Sequence, residues 1–178
     1  LAPAAQAQDI TGAAAGDENW DNRFGLPGVE DSEVTAVAVT NNGDIYIGGR
    51  FTEAGNLDAN HIARWDGRQF HALGEGLNDT PDAIVTDGTN IYAVGRFTSA
   101  GLVAVNGIAV WNGTEWAAVG TGEGPTDKWG SQGWLRAAAI YDGKLVIAGQ
   151  FELVDGVAAK NIAAWDVANW PPVGDDGF

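Results

Sequence analysis

Ile45-Tyr-Ile-Gly-Gly-Arg-Phe-Thr-Glu-Ala-Gly55 returns as Ile91-Tyr-Ala-Val-Gly-Arg-Phe-Thr-Ser-Ala-Gly101, and more loosely as Leu145-Val-Ile-Ala-Gly-Gln-Phe-Glu-Leu-Val-Asp155. Each copy is followed by a second block: Asn60-His-Ile-Ala-Arg-Trp65, Asn106-Gly-Ile-Ala-Val-Trp111 and Asn161-Ile-Ala-Ala-Trp165. Five residues past each tryptophan stands another aromatic, Phe70, Trp116 or Trp170. Phe51, Phe97 and Phe151 are separated by 46 and 54 residues, and Trp65, Trp111 and Trp165 by the same two intervals, so one eight-residue insertion is the only break in register. Self-similarity at a period of roughly 20–50 residues marks an array of stacked units.

Within one period, Thr35-Ala-Val-Ala-Val-Thr40 alternates like a strand, Asn41-Asn-Gly-Asp44 turns the chain, and a second strand ends at Gly48-Gly49. A loop rich in Gly, Ala and Asn leads to the tryptophan strand. Asp66-Gly67 or Asn112-Gly113 then turns that strand into a short fourth one. Four antiparallel strands per repeat is the pattern of a propeller blade. The reading is all-β: a β-propeller-like array of four-stranded antiparallel blades at about 34–74, 81–120 and 135–174, preceded by a flexible segment, 1–19.

The combination of apolar-Tyr-apolar-Gly-Gly, a later Trp and a further aromatic resembles the kelch motif. The longer string Gly-x-Phe-Thr-x-Ala-Gly, followed by Asn-x-Ile-Ala-x-Trp-Asp-Gly, is similar to repeats of bacterial surface proteins and fungal cortical polarity-marker proteins. The resemblance covers roughly residues 20–174 and implies a fold rather than an activity. Kelch-like propellers include a copper oxidase, but its tyrosine-cysteine cofactor needs a cysteine, and this chain has none.

Trp20-Asp-Asn-Arg-Phe24-Gly-Leu26 repeats the end of a period, 45 residues before Trp65 and 46 before Phe70, and is expected to be an orphan outer strand. Asn169-Trp-Pro-Pro-Val173 is expected to be the outer strand of the third blade, at a weakly paired edge because proline donates no ladder hydrogen bond. Propellers close with about four to eight blades. Three blades and a strand leave open edges, which are liabilities unless another chain covers them. Copies of the same chain are the expected partner, with Trp20, Arg23, Phe24 and Leu26 as candidate assembly residues.

Composition narrows the functions. The 178 residues carry 24 acidic and 9 basic side chains, a net charge of -15 that repels phosphate backbones and anionic lipid. Nucleic acid is therefore not an expected partner. No run approaches the ~20 apolar residues of a membrane-spanning helix. Leu1-Ala-Pro-Ala-Ala-Gln-Ala-Gln8 reads as the end of a secretory signal with a small-x-small site at Ala5-Gln6-Ala7, which predicts an extracellular or cell-surface location; an Ala-rich terminus is the alternative.

The insertion Thr121-Gly-Glu-Gly-Pro-Thr-Asp-Lys-Trp129-Gly-Ser-Gln-Gly-Trp134 is the best candidate contact surface, since insertions between repeats project from one face. Asp127, Lys128, Trp129, Gln132 and Trp134 suit stacking on a glycan or anchoring a cell-surface protein; packing over the adjoining blade is the structural alternative. The repeated Trp65, Trp111 and Trp165 read as core, and Asn60, Asn106 and Asn161 as ligands of loop backbone. Asn78-Asp-Thr80 and Asn112-Gly-Thr114 match the glycosylation acceptor pattern weakly. The acidic pairs Asp17-Glu18, Glu30-Asp31 and Asp175-Asp176 lack the ligand density of a calcium loop. His61 and His71 belong to no nucleophile or zinc motif. No cofactor, metal or catalytic residue is expected. The expectation is a non-enzymatic, self-assembling extracellular scaffold, a filament or surface-layer subunit; the alternative is a recognition module working through Trp129 and Trp134.

Overall fold

A computed structural model describes Val29 and residues 33–171. Among these residues the regular elements are all β-strands, and every strand pairing is antiparallel. The first repeat forms β1 (Glu33–Val39), β2 (Ile45–Arg50), β3 (Glu53–Ala54), β4 (Leu57–Asp58), β5 (Ile62–Trp65) and β6 (Phe70–Ala72). Its main sheet has the order β1-β2-β5-β6, and β3-β4 is a separate hairpin within what reads from sequence as a loop. The second repeat copies this with β7 (Pro81–Thr86), β8 (Ile91–Gly95), β9 (Ser99–Ala100), β10 (Val103–Ala104), β11 (Ile108–Trp111) and β12 (Trp116–Ala118).

The third repeat departs from expectation. The insertion contributes β13 (Pro125–Thr126), ahead of β14 (Trp134–Tyr141), β15 (Lys144–Gln150), β16 (Leu153–Val154), β17 (Val157–Ala158) and β18 (Ile162–Trp165). The main sheet β14-β15-β18 has three strands, and β13-β16-β17 make a second, small sheet. Asn169, Trp170 and Pro171 are not a strand, and the rest of the expected outer strand lies outside the described residues. Pro171 has no N–H to give to β18. Trp170 nevertheless keeps its packing: the Trp65–Phe70, Trp111–Trp116 and Trp165–Trp170 rings sit 4.9, 5.4 and 5.3 Å apart, tilted by 60°, 54° and 50°.

One glycine recurs in all three second strands for a steric reason. The pairing slips at Val34/Ala36, Pro81/Ala83 and Leu135/Ala137. The bulge presses a carbonyl onto the neighbouring strand. A Cβ on Gly49 would lie 1.9 Å from the Glu33 oxygen, one on Gly95 2.5 Å from that of Thr80, and one on Gly149 2.0 Å from that of Trp134. No side chain fits there.

The three main sheets stack through their faces, with β7 touching both β1 and β14. Ala36, Tyr46 and Ile62 on the back of the first sheet pack against Ile84, Ile91, Ala93 and Trp111 on the front of the second. Tyr92 and Ile108, the counterparts of Tyr46 and Ile62 on the back of the second sheet, pack with Val94 against Leu145, Ile147 and Ala163 on the front of the third. The outer faces are less covered. Val37 on the front of the first sheet is 57% exposed, whereas its counterpart Ile84 is 5% exposed. Ile162 on the back of the third sheet is 38% exposed, whereas its counterpart Ile62 is fully buried. A smaller cluster of Phe51, Ala54, Ala59 and Ala63, with Val29 and Phe70, covers part of the front of the first sheet.

Linkers are clamped between successive repeats. Asn60 Nδ2 donates to the Glu75 carbonyl at 3.0 Å, and Asn106 Nδ2 to that of Glu123 at 2.6 Å. The next residues, Gly76 and Gly124, accept from the N–H of Gly101 at 2.7 Å and of Asp155 at 3.0 Å, in the hairpin of the following repeat. Asn161 does not continue this series. The Gly49, Gly95 and Gly149 amides donate to the carbonyls of His61, Gly107 and Asn161, and these three share positive φ angles of 62°, 76° and 69°. Lys160 therefore stands where Asn60 and Asn106 stand, one residue away from the sequence alignment. Asn161 still serves backbone, its Oδ1 accepting from the Phe151 N–H at 3.2 Å.

Candidate binding groove

The insertion is built outward from Asp155, at the hairpin position that Gly55 and Gly101 occupy in the other repeats. Its Oδ2 accepts from the Thr121 N–H at 2.8 Å and from Trp170 Nε1 at 3.0 Å, and its Oδ1 from the Gly124 N–H at 2.7 Å. These bonds hold the start of the insertion against the third repeat. β13 then pairs with β16, carrying the chain to Asp127.

Asp127 closes the exposed turn. Its Oδ1 accepts from the Trp129 and Ser131 N–H groups at 2.8 and 2.9 Å, and its own N–H donates to the Ser131 carbonyl at 2.9 Å. The Ser131 amide, joined by that of Trp129, holds the Asp127 carboxyl below its ordinary range, so the turn carries a carboxylate at neutral pH. Thr126 bridges Gln132 on the way back. Trp129 and Trp134 are left 77% and 62% exposed. Lys128 Nζ sits 4.3 Å from the Trp129 ring centroid and the Arg136 guanidinium 5.5 Å from that of Trp134, at cation–π distance.

Between this turn and the third repeat lies an open groove of about 900 Å³. Four of the five residues singled out from sequence, Asp127, Trp129, Gln132 and Trp134, line it; Lys128 does not, and lies against the Trp129 ring. The opposite wall includes Glu152, Lys160 and Asn161, which sequence reading did not select. The available signal was departure from the repeat, since Lys160 and Asp155 replace the Asn and Gly of the first two copies. Gln132 and Trp134 also border a smaller cavity of about 400 Å³, where Arg96 Nε lies 3.5 Å from Asp82 Oδ2. Gln132 Nε2 is buried there without a hydrogen-bond partner among the described residues.

The remaining candidates are occupied locally or lie elsewhere. Asn78 Nδ2 donates to Thr98 Oγ1 at 2.9 Å, tying the linker to the hairpin of the second repeat, and Asn112 Oδ1 accepts from the N–H groups of Thr114 and Glu115 within its own turn. His61 Nδ1 lies 2.9 Å from the Gly49 carbonyl and His71 Nε2 2.7 Å from Asp66 Oδ2. No group of three metal-ligating side chains occurs among the described residues. Trp20, Arg23, Phe24 and Leu26, and the acidic pairs Asp17-Glu18, Glu30-Asp31 and Asp175-Asp176, lie outside the described residues.

The described residues thus form an all-β array of three repeated antiparallel main sheets, with an open groove beside the third. No protein-family model matches it, and no curated protein matches it.

Proposed function

We propose that the three sheets are kelch-like propeller blades and that the protein is a non-enzymatic extracellular scaffold of the cell surface, associating head to tail with copies of itself. The observation that carries this reading is the match between the two flanks. The back of the third sheet carries Ile162 and the half-buried Val146 at positions that, in the first sheet, seat Ile62 and Tyr46 against the second. The front of the first sheet presents Val37 where the second presents the buried Ile84. An interface used twice inside the chain is available a third time between chains. Such contacts are heterologous, closing into a ring or propagating as a filament according to the rotation per copy. Burying side chains of this size contributes about 1.5–3 kcal/mol each. The extracellular location rests on the signal-like Leu1–Gln8, and the propeller reading on two four-stranded sheets and a three-stranded third with adjacent first strands.

The test uses two single substitutions on exposed flank positions, Val37→Asp and Ile162→Asp, studied by sedimentation at physiological salt, where screening shortens the reach of the net charge to about 8 Å. The wild-type chain associates, each variant is weakened, and an equimolar mixture of the two forms a 1:1 dimer because each supplies the flank the other lacks. The double variant stays monomeric. A wild-type chain that remains a monomer at high concentration, or a mixture no more associated than its components, defeats the reading.

A further inference from the structure

We infer that the groove between the Trp129 turn and the third repeat is a binding subsite for a neutral oligosaccharide. The first ground is that its two tryptophans have no packing duty. Trp111, Trp116 and Trp170 are buried in the stacked core, and Trp65 and Trp165 pair with a neighbouring aromatic. Trp129 and Trp134 stand on the groove wall with most of their surface open. Exposing two indoles sacrifices apolar burial that a merely structural insertion would retain.

The second ground is rigidity. The turn carrying Trp129 is closed by four bonds at Asp127, bridged back at Thr126–Gln132, and tied to the third repeat where the Glu152 N–H donates to the Thr126 carbonyl at 2.8 Å. A ring presented on a pre-ordered turn loses little freedom on binding.

The third ground is charge, which selects the class of ligand. Lys128 and Arg136 already lie over the two rings and oppose a cationic guest. Asp127 and Glu152 on the walls, with the net charge of -15 behind them, oppose an anionic one. A neutral polyol meets neither objection. The C–H face of a pyranose carries slight positive charge and suits the negative face of an indole. Its rim of hydroxyls can donate to the Asp127 and Glu152 carboxylates and accept from Lys160 and from the amide nitrogen of Asn161, whose oxygen is engaged by Phe151. The volume falls within the roughly 300–1,000 Å³ of small-ligand sites, and the open side accommodates a chain rather than a single ring. A protein partner would seat its anchoring aromatics in an enclosed, dry pocket; this groove is open, and Asp127, Glu152, Lys160 and Asn161 set polar groups among its apolar walls.

The probes are cellohexaose, maltohexaose, xylohexaose and chitohexaose, titrated into the full chain with tryptophan fluorescence and calorimetry as readouts. At least one binds with Kd of about 1 mM or tighter, and Trp129→Ala and Trp134→Ala each weaken it about tenfold or more, a loss of about 1.4 kcal/mol. Both variants keep the wild-type melting temperature, because neither ring is packed, and sediment as the wild type does, which separates this inference from the assembly reading. Absence of binding to every probe at about 10 mM, a Kd well above the millimolar range, overturns the proposal. So does saccharide binding that neither tryptophan substitution weakens, or a tryptophan-dependent interaction confined to polypeptides.

Discussion

Val167 occupies a turn corner that Gly67 and Gly113 hold in the other two repeats, at φ 77° against 91° and 98°. A β-branched residue in this region is strained, at a cost of order 1–3 kcal/mol. The turn survives because Asp166 Oδ1 accepts from the Ala168 and Asn169 N–H groups at 3.0 and 2.7 Å, as Asp66 and Asn112 do in their turns. Val167 is exposed, so removing its side chain forfeits little burial. Val167→Gly is expected to raise stability by about 1 kcal/mol, the strain relieved outweighing the greater freedom of the unfolded chain. A melting temperature unchanged or lowered would contradict it. The Asp-Gly and Asn-Gly turns were legible in the sequence because glycine announces a left-handed corner. The third was silent, since only the backbone angle distinguishes Asp166-Val167 from an ordinary dipeptide. The offset at Asn161 has the same origin: identical letters aligned, while hydrogen bonds and φ assigned the place of His61 and Gly107 to Asn161.

Among the elements, the long strands were readable because alternation over five or more residues carries a period. The β3-β4, β9-β10 and β16-β17 hairpins were not, since two-residue strands carry none; their signature is the recurrent Ala-Gly or Val-Asp at the turn. The outer strand expected at Asn169–Val173 rested on the second aromatic of the pair, and that aromatic packs without a strand. The insertion was legible as a break in spacing, and its tryptophans do line a groove, but its anchor was not. Asp155 reads as a lost glycine until its carboxylate is seen holding Thr121, Gly124 and the Trp170 indole. Asp155→Gly restores the residue of the other repeats and relieves a φ of 46°, yet strands three donors. The net effect expected is a loss of about 1–3 kcal/mol in chemical denaturation. A variant as stable as the wild type would remove Asp155 from this role.

Over the whole molecule, each main sheet closes its ladder within its own repeat, and neighbouring repeats meet through side chains and the clamped linkers. The three main sheets and their order followed from spacing, whereas the small hairpin sheets, the β13-β16-β17 sheet and the missing fourth strand of the third repeat did not. How the flanks are covered did not, because burial at Val37 and Ile162 depends on what lies against them. An array whose units touch only their neighbours behaves as a one-dimensional chain of coupled segments, each stabilised according to how many neighbours it has. Among the described residues the second main sheet has two such neighbours and the others have one, so opening fluctuations should begin at the flanks and reach the centre last. In native-state hydrogen exchange the amides of Tyr92, Ala93 and Val94 are expected to be the slowest, with those of Val37 and Ala139 exchanging through smaller openings; equal protection throughout would show a single cooperative unit instead. A copy docked on one flank would then lend that sheet a second neighbour, and the amides of β1 or β14 would slow toward those of β8, so association would register as kinetic protection far inside each subunit.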